Sequence, residues 1–294
     1  MFSRSFYERI ILMCFGSFLT YYIAMQLMNY NVDNECAEYT GSLELTSHEK
    51  IVHSNVIDAV NIDTKFEDVQ GHQNAKQLLE KLIINPLNNE KKHDMKPPNG
   101  FILHGPPGTG KTLLVKALCK KMNKSFLLFD QSYIEQKMFG ESAKMIKAVF
   151  TLAEKIKPCV IFIDEIDGIF GERSVFDQSF ITGIKTQMLT YMDGIISRDP
   201  SVILIGATNR LKAIDPAIRR RMRTHIEIVL PDHDERKLLF LYYLRNNESI
   251  DYDKLAEATV DFSGSDINEM CKIAYYTSES CITTDELLCA VKSF

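Results

Sequence analysis

The 294-residue sequence has no Cys-x-x-Cys pair, no His-Glu-x-x-His run, no internal repeat and no low-complexity tract. The missing histidine pair excludes a zinc protease of that type. Its seven cysteines (Cys14, Cys36, Cys119, Cys159, Cys271, Cys281 and Cys289) are odd in number and scattered, with Cys119 and Cys159 inside apolar runs. Such a set fits free thiols in a reducing compartment, not a disulfide framework or a zinc site. A basic excess is lacking too. The net charge of −5 argues against nucleic-acid binding by bulk charge. What is there is an ordinary globular balance, 45% hydrophobic and 25% charged, in a chain long enough for about two domains.

One stretch lacks charge altogether. Ile10 to Met28 runs 19 residues without Asp, Glu, Lys, Arg or His. As a helix it would span roughly 28 Å, about the thickness of a bilayer core. Arg4, Glu8 and Arg9 precede it, and Asn29, Asn31, Asp33 and Glu35 follow. A membrane anchor is the preferred reading. A cleaved signal peptide would have a shorter apolar region and a small-x-small cleavage site. A buried core helix would need a partner, and nothing nearby supplies one.

Residues 29–60 are polar and acidic without a strong period and read as a linker or small adaptor. Beyond them, apolar runs at 101–104, 126–129, 159–163, 202–206 and 225–229 alternate with helical patterns such as 111–122, 142–157 and 179–194. Strands that are apolar throughout and alternate with helices predict a parallel sheet covered on both faces. After Pro231 only helical patterns follow, at 233–247, 252–258, 264–278 and 284–292. The expected order is therefore a tail (1–9), a membrane helix (10–28), a linker (29–60), an α/β domain with a five-stranded parallel sheet (61–231) and a small helical lid (232–294).

Chemistry concentrates at strand ends. Gly105-Pro106-Pro107-Gly108-Thr109-Gly110-Lys111-Thr112 follows one strand and opens a helix, which is the context a phosphate-binding loop requires. Glycines let backbone N–H groups turn toward phosphate oxygens, and the helix adds the positive end of its dipole. Lys111 is expected on the β- and γ-phosphates of ATP and Thr112 on magnesium. Asp164 and Glu165 end a second strand, where ligands bind in open α/β sheets. Asp164 is expected to hold magnesium, and Glu165 to polarise the attacking water. Asn209 ends a third strand and could reach both the γ-phosphate and the water; alone it would be a turn residue. Arg219, Arg220, Arg221 and Arg223 form a basic run. In isolation that is a solvated face; beside a phosphate site it offers arginine fingers.

Together these motifs, with Phe262-Ser263-Gly264-Ser265-Asp266, resemble the AAA ATPases over roughly residues 61–294. Within that family the chain looks most like the group containing spastin, katanin, the ESCRT-disassembling ATPase and the membrane-protein extractases. The resemblance implies a homo-oligomeric ring, usually a hexamer, with ATP and Mg2+ at subunit interfaces. It implies that Arg220 and Arg221 reach the neighbour's nucleotide. Asp68, Val69, Gln70 and Gly71 match the segment beside adenine, and Gly264 and Ser265 the small-domain turn over the same base. Lys137, Met138, Phe139 and Gly140 match the pore loop that grips polypeptide, with a second pore loop at Gly171, Glu172 and Arg173. The family usually has an aromatic residue at Met138, and the extractases a Trp-Tyr pair. This chain has no tryptophan, and a methionine grips by dispersion and burial alone.

A single span, a short linker and one AAA module fit an extractase that pulls mislocalised, tail-anchored membrane proteins through a central pore. The alternative is disassembly of microtubules or ESCRT filaments, and a third reading is a protein that binds ATP without turnover. Two arginines before the span would put the N-terminus in the cytosol. The need for ATP puts the motor there instead, on a mitochondrial outer or peroxisomal membrane, and this second expectation is preferred. No nucleic-acid partner is expected.

Overall fold

A computed structural model of the chain describes residues 43–88, 98–134, 141–170, 179–198, 201–245, 247, 249–277 and 282–291. The expected span Ile10–Met28 and both expected pore loops, Lys137–Gly140 and Gly171–Arg173, lie outside the described residues. Among the described residues, no helix is long and apolar enough to cross a membrane. The chain divides into two compact units, Met1–Ile51 and Val52–Phe294. Helix α1 (Ser47–His53) begins the described part, and everything below concerns the second unit.

Six strands form one sheet: β1 (Val56–Ile57), β2 (Gly100–His104), β3 (Ser125–Phe129), β4 (Cys159–Ile163), β5 (Val202–Thr208) and β6 (Thr224–Glu227), in the order β1-β3-β4-β5-β2-β6. The five strands β2 to β6 are the expected parallel set. Two expectations are corrected by β1. The sheet is six-stranded and mixed, because β1 pairs antiparallel with β3 through Val56–Leu127 and Ile57–Phe126. The end of the expected linker is also part of the folded unit, with Val52 and Ala59 buried. A two-residue strand is too short to show a period, so the sequence carries no pattern for it.

Every residue of β4 and β5 is buried, as a sheet covered on both faces requires. Helix α2 (Gln73–Leu79) runs on through a π-turn, Glu80–Ile84. Helix α3 (Lys111–Lys121) places Leu114, Val115 and Leu118 in one core with Phe101, Leu103, Phe162 and Ile205. Helix α4 (Glu141–Lys155) buries Met145, Ile146, Val149, Leu152 and Ala153, an apolar stripe at helical spacing. The short α5 (Ile166–Phe170), the long α6 (Ser179–Arg198) and α7 (Pro216–Arg221) complete this part. Asp215 caps α7 by accepting from Ala217 N–H at 2.7 Å, with Pro216 in the first turn.

Beyond Pro231, α8 (His233–Tyr243), α9 (Tyr252–Ala258), α10 (Gly264–Thr277) and α11 (Thr284–Val291) share a second core built on Leu239, Phe240, Leu255, Ile267, Met270 and Leu287. Burial there pushes the Cys271 thiol up to about 12. The buried side chain of Arg236 on α8 ties that helix to the end of α9 and to Pro231. Its guanidinium donates to Ala256 O at 3.0 and 2.8 Å and to Pro231 O at 2.9 Å. Replacing Arg236 by Met strands both carbonyls and should cost about 2–4 kcal/mol. Denaturant melting of the purified chain measures this; an unchanged midpoint would contradict the clamp.

Candidate nucleotide site

β4, β5 and β2 are adjacent and parallel, so their C-terminal ends open on one edge, where ligands bind in such sheets. β2 delivers Gly105 to Thr112, β4 delivers Asp164 and Glu165, and β5 delivers Asn209. Gly105 N–H donates to Thr208 O at 3.2 Å, which holds the loop against the neighbouring strand. A Cβ on Gly105 would stand 1.8 Å from Ile228 O, so no side chain fits. Pro106 and Pro107 are exposed, and Thr109 Oγ1 donates back to Pro106 O at 2.9 Å. Gly108 and Gly110 adopt left-handed backbone, at φ 72° and 82°, before α3 begins at Lys111.

The Lys111 ammonium is held inside this loop. It donates to Gly105 O at 3.0 Å, Pro106 O at 2.7 Å and Asn209 Oδ1 at 2.8 Å. Burial pushes its pKa down, and Asp164 opposes that. Thr112 Oγ1 donates to Asp164 Oδ2 at 2.8 Å, so the two expected magnesium ligands stand together. A hydroxyl and one carboxylate fit magnesium, which keeps waters and phosphate oxygens as its other ligands. Among the described residues, no cluster of three His, Cys, Asp or Glu side chains suited to a metal occurs.

Asp164 Oδ1 accepts Glu165 N–H at 2.9 Å. Glu165 has left-handed backbone, φ 45°, which costs a non-glycine residue about 1–2 kcal/mol. Its side chain is exposed at the strand end. Asn209 is braced from both sides. Thr208 Oγ1 donates to Asp167 at 2.7 Å, Arg210 Nε donates to the same carboxylate at 3.2 Å, and Arg210 N–H donates to Thr208 Oγ1 at 2.9 Å. Asp167 lies two residues beyond Glu165 in the sequence, but nothing in that spacing marks this bracing role.

A cavity of about 470 Å³ adjoins the loop. Asp68, Val69, Gln70, Gly264 and Ser265 line it, with Gly108, Thr109 and Gly110 of the loop. Gly71 does not line it; it lies against Glu235 instead. Ser265 N–H donates to Gly108 O at 3.1 Å, joining the helical part to the phosphate loop. His72, Tyr242, Tyr243 and Asn268 also line the cavity and were missed. The signal for the tyrosines is their helical spacing from Leu239, three and four residues on.

The two arginines differ. Arg220 is exposed and, with Arg219, Arg223 and His225, lines an open basic hollow. Arg221 is bound within its own chain: Nε and NH2 donate to Asp193 at 2.6 and 2.8 Å, and NH1 donates to Ala217 O at 3.1 Å. Neither lines the nucleotide cavity.

The strand–loop–helix, the paired carboxylates at the next strand end but one, and the lysine between them define a P-loop nucleoside triphosphatase. Comparison with known proteins narrows the class. The family described as "ATPase family associated with various cellular activities (AAA)" matches residues 101–231. The mitochondrial sorting homolog of Caenorhabditis elegans is 33% identical over 262 residues, covering 84% of this chain and 77% of that protein. The outer mitochondrial transmembrane helix translocase of Homo sapiens is 35% identical over 243 residues, covering 79% and 67%. Among solved structures, the FIGL-1 AAA domain in complex with ADP has a TM-score of 0.73 at 26% identity, covering 86% of this chain and 92% of that one. The chain belongs to the AAA family and is an ATP-hydrolysing enzyme.

The two arginines should separate by experiment. Arg221→Ala breaks a bidentate pair and should lower stability by about 1 kcal/mol. Arg220→Ala should leave the melting temperature unchanged and lower ATP turnover. Equal melting shifts for the two variants would contradict the assignment.

Proposed function

We propose that this enzyme couples ATP hydrolysis to the extraction of membrane proteins, working as a ring, a hexamer by family resemblance, anchored by Ile10–Met28. The observation that carries the reading is the relatedness to proteins named outer mitochondrial transmembrane helix translocase, across two thirds of their length. The apolar N-terminal run supports the anchor. The membrane is the mitochondrial outer membrane or the peroxisomal one, with the ATPase part in the cytosol. Its clients are mislocalised, tail-anchored proteins, threaded past Met138 and Phe139.

The residues divide the chemistry. Asp68, Val69, Gly264 and Ser265 hold the base, and the loop N–H groups from Gly105 to Thr112 hold the phosphates. Lys111 exchanges its carbonyl acceptors for β- and γ-phosphate oxygens. Thr112 and Asp164 hold magnesium, which when bound neutralises charge on those phosphates. Glu165 polarises the attacking water and Asn209 orients it. Arg220 of one subunit reaches the neighbour's γ-phosphate, so turnover depends on assembly. Arg221, tied to Asp193, anchors the helix that presents Arg220.

Glu165→Gln in the full-length chain tests the reading. It should bind ATP, lose turnover by about 10²–10⁴-fold, and retain single-span membrane proteins. Undiminished turnover would overturn the role of Glu165. Retention of cytoskeletal or ESCRT polymers in place of membrane proteins would overturn extraction.

A further inference from the structure

His72 lies where the phosphate loop and the helical part meet. Gly71 and His72 are both left-handed, at φ 75° and 56°. The His72 backbone N–H donates to Glu235 Oε1 at 2.6 Å. Glu235 is the residue that closes the capping box with Asp232 at the start of α8. A Cβ on Gly71 would stand 2.8 Å from the Glu235 carboxyl carbon, so glycine is what admits that carboxylate. On its other side, His72 Nε2 lies 2.9 Å from the Thr109 carbonyl oxygen. A carbonyl only accepts, so Nε2 carries the proton. Nδ1 of the same ring is buried without a partner. In the neutral ring Nδ1 is a lone pair; in imidazolium it becomes a buried N–H with nothing to accept it.

We propose that His72 is a positioning residue for the phosphate loop: its Nε2–H ties the Thr109 carbonyl to α8 through Glu235. The proposal rests on the cavity being the nucleotide site. Gly108, Thr109 and Gly110 line that cavity together with His72 itself. Holding Thr109 therefore sets the loop's N–H groups before nucleotide arrives. It also makes loop geometry depend on where the helical part sits.

The charges around the ring act in both directions. Burial is the largest influence and lowers the His72 pKa below 6.5. Glu235 on α8 and the hydrogen bond to Thr109 O favour the cation, and Lys76 on α2 disfavours it. Lys76 is itself engaged with Val69 O. Asp63, Asp68 and Tyr243 line the same cavity. Because the folded pKa is depressed, the stability that comes from a neutral ring is fully present above pH 6.5 and is lost as pH falls through the folded value, while Nε2 keeps its proton in both forms.

The test is KM for ATP, with kcat, of the full-length chain at pH 7.5. His72→Gln keeps an amide donor near the Nε2 position and cannot titrate. His72→Asn accepts left-handed backbone but is too short to reach Thr109. His72→Asn should raise KM about 3- to 10-fold, the scale of one hydrogen bond, with kcat little changed. His72→Gln should restore the KM to near the wild-type value. A wild-type KM in His72→Asn, or a KM in His72→Gln raised as far as in His72→Asn, overturns the proposal. Lys111→Ala separates the two ideas. If it leaves nucleotide binding intact, the site reading itself fails. If it abolishes binding while the His72 variants are silent, only this proposal fails.

Discussion

The register of three neighbouring strands is the constraint on which the rest depends. Leu103 pairs with Ala207 and His104 with Thr208, while Ile163 pairs with Gly206. With β2, β5 and β4 locked in that stagger, the residues that follow them meet in space. Lys111 then touches Asn209, and Thr112 touches Asp164. A shift of one residue in any of these strands would turn its side chains to the opposite face and part those contacts. The uniformly buried strands hold the register, because every position has a packing partner. Core packing and chemical geometry are therefore one problem in this fold.

Against that fixed edge, the helical part is joined by few and specific contacts. Ser265 bonds to Gly108, and Glu235 bonds to His72. Both contacts involve the phosphate loop or a residue touching it. A nucleotide that fills the cavity between them bears on both parts at once. This gives ATP binding a direct physical route to moving the α8–α11 helices, without a relay through the sheet. The Asp193–Arg221 pair ties α6 to the helix that carries Arg220.

Much of this was legible in the sequence where the signal is contiguous. The five parallel strands announce themselves as apolar runs, and the phosphate loop, Asp164–Glu165 and Asn209 sit at their ends. β1 was not legible, since Val56 and Ile57 alone carry no period. Tyr242, Tyr243 and Asn268 were missed because they become cavity lining only when α8 and α10 fold against the loop. Nor could the sequence separate Arg220 from Arg221. The partner that does so, Asp193, lies 28 residues away on another helix. The edge of what spacing can reveal is the point where side chains are brought together by packing.

The central claim is that turnover at the Lys111–Glu165 site drives removal of protein from a membrane. Reconstitution tests it most directly. Full-length enzyme is placed in vesicles with a fluorescent tail-anchored client, and client release is followed with ATP and with a non-hydrolysable analogue. The account predicts release with ATP and none with the analogue. Equal release with both, or none with ATP while the enzyme hydrolyses it at full rate, would contradict it.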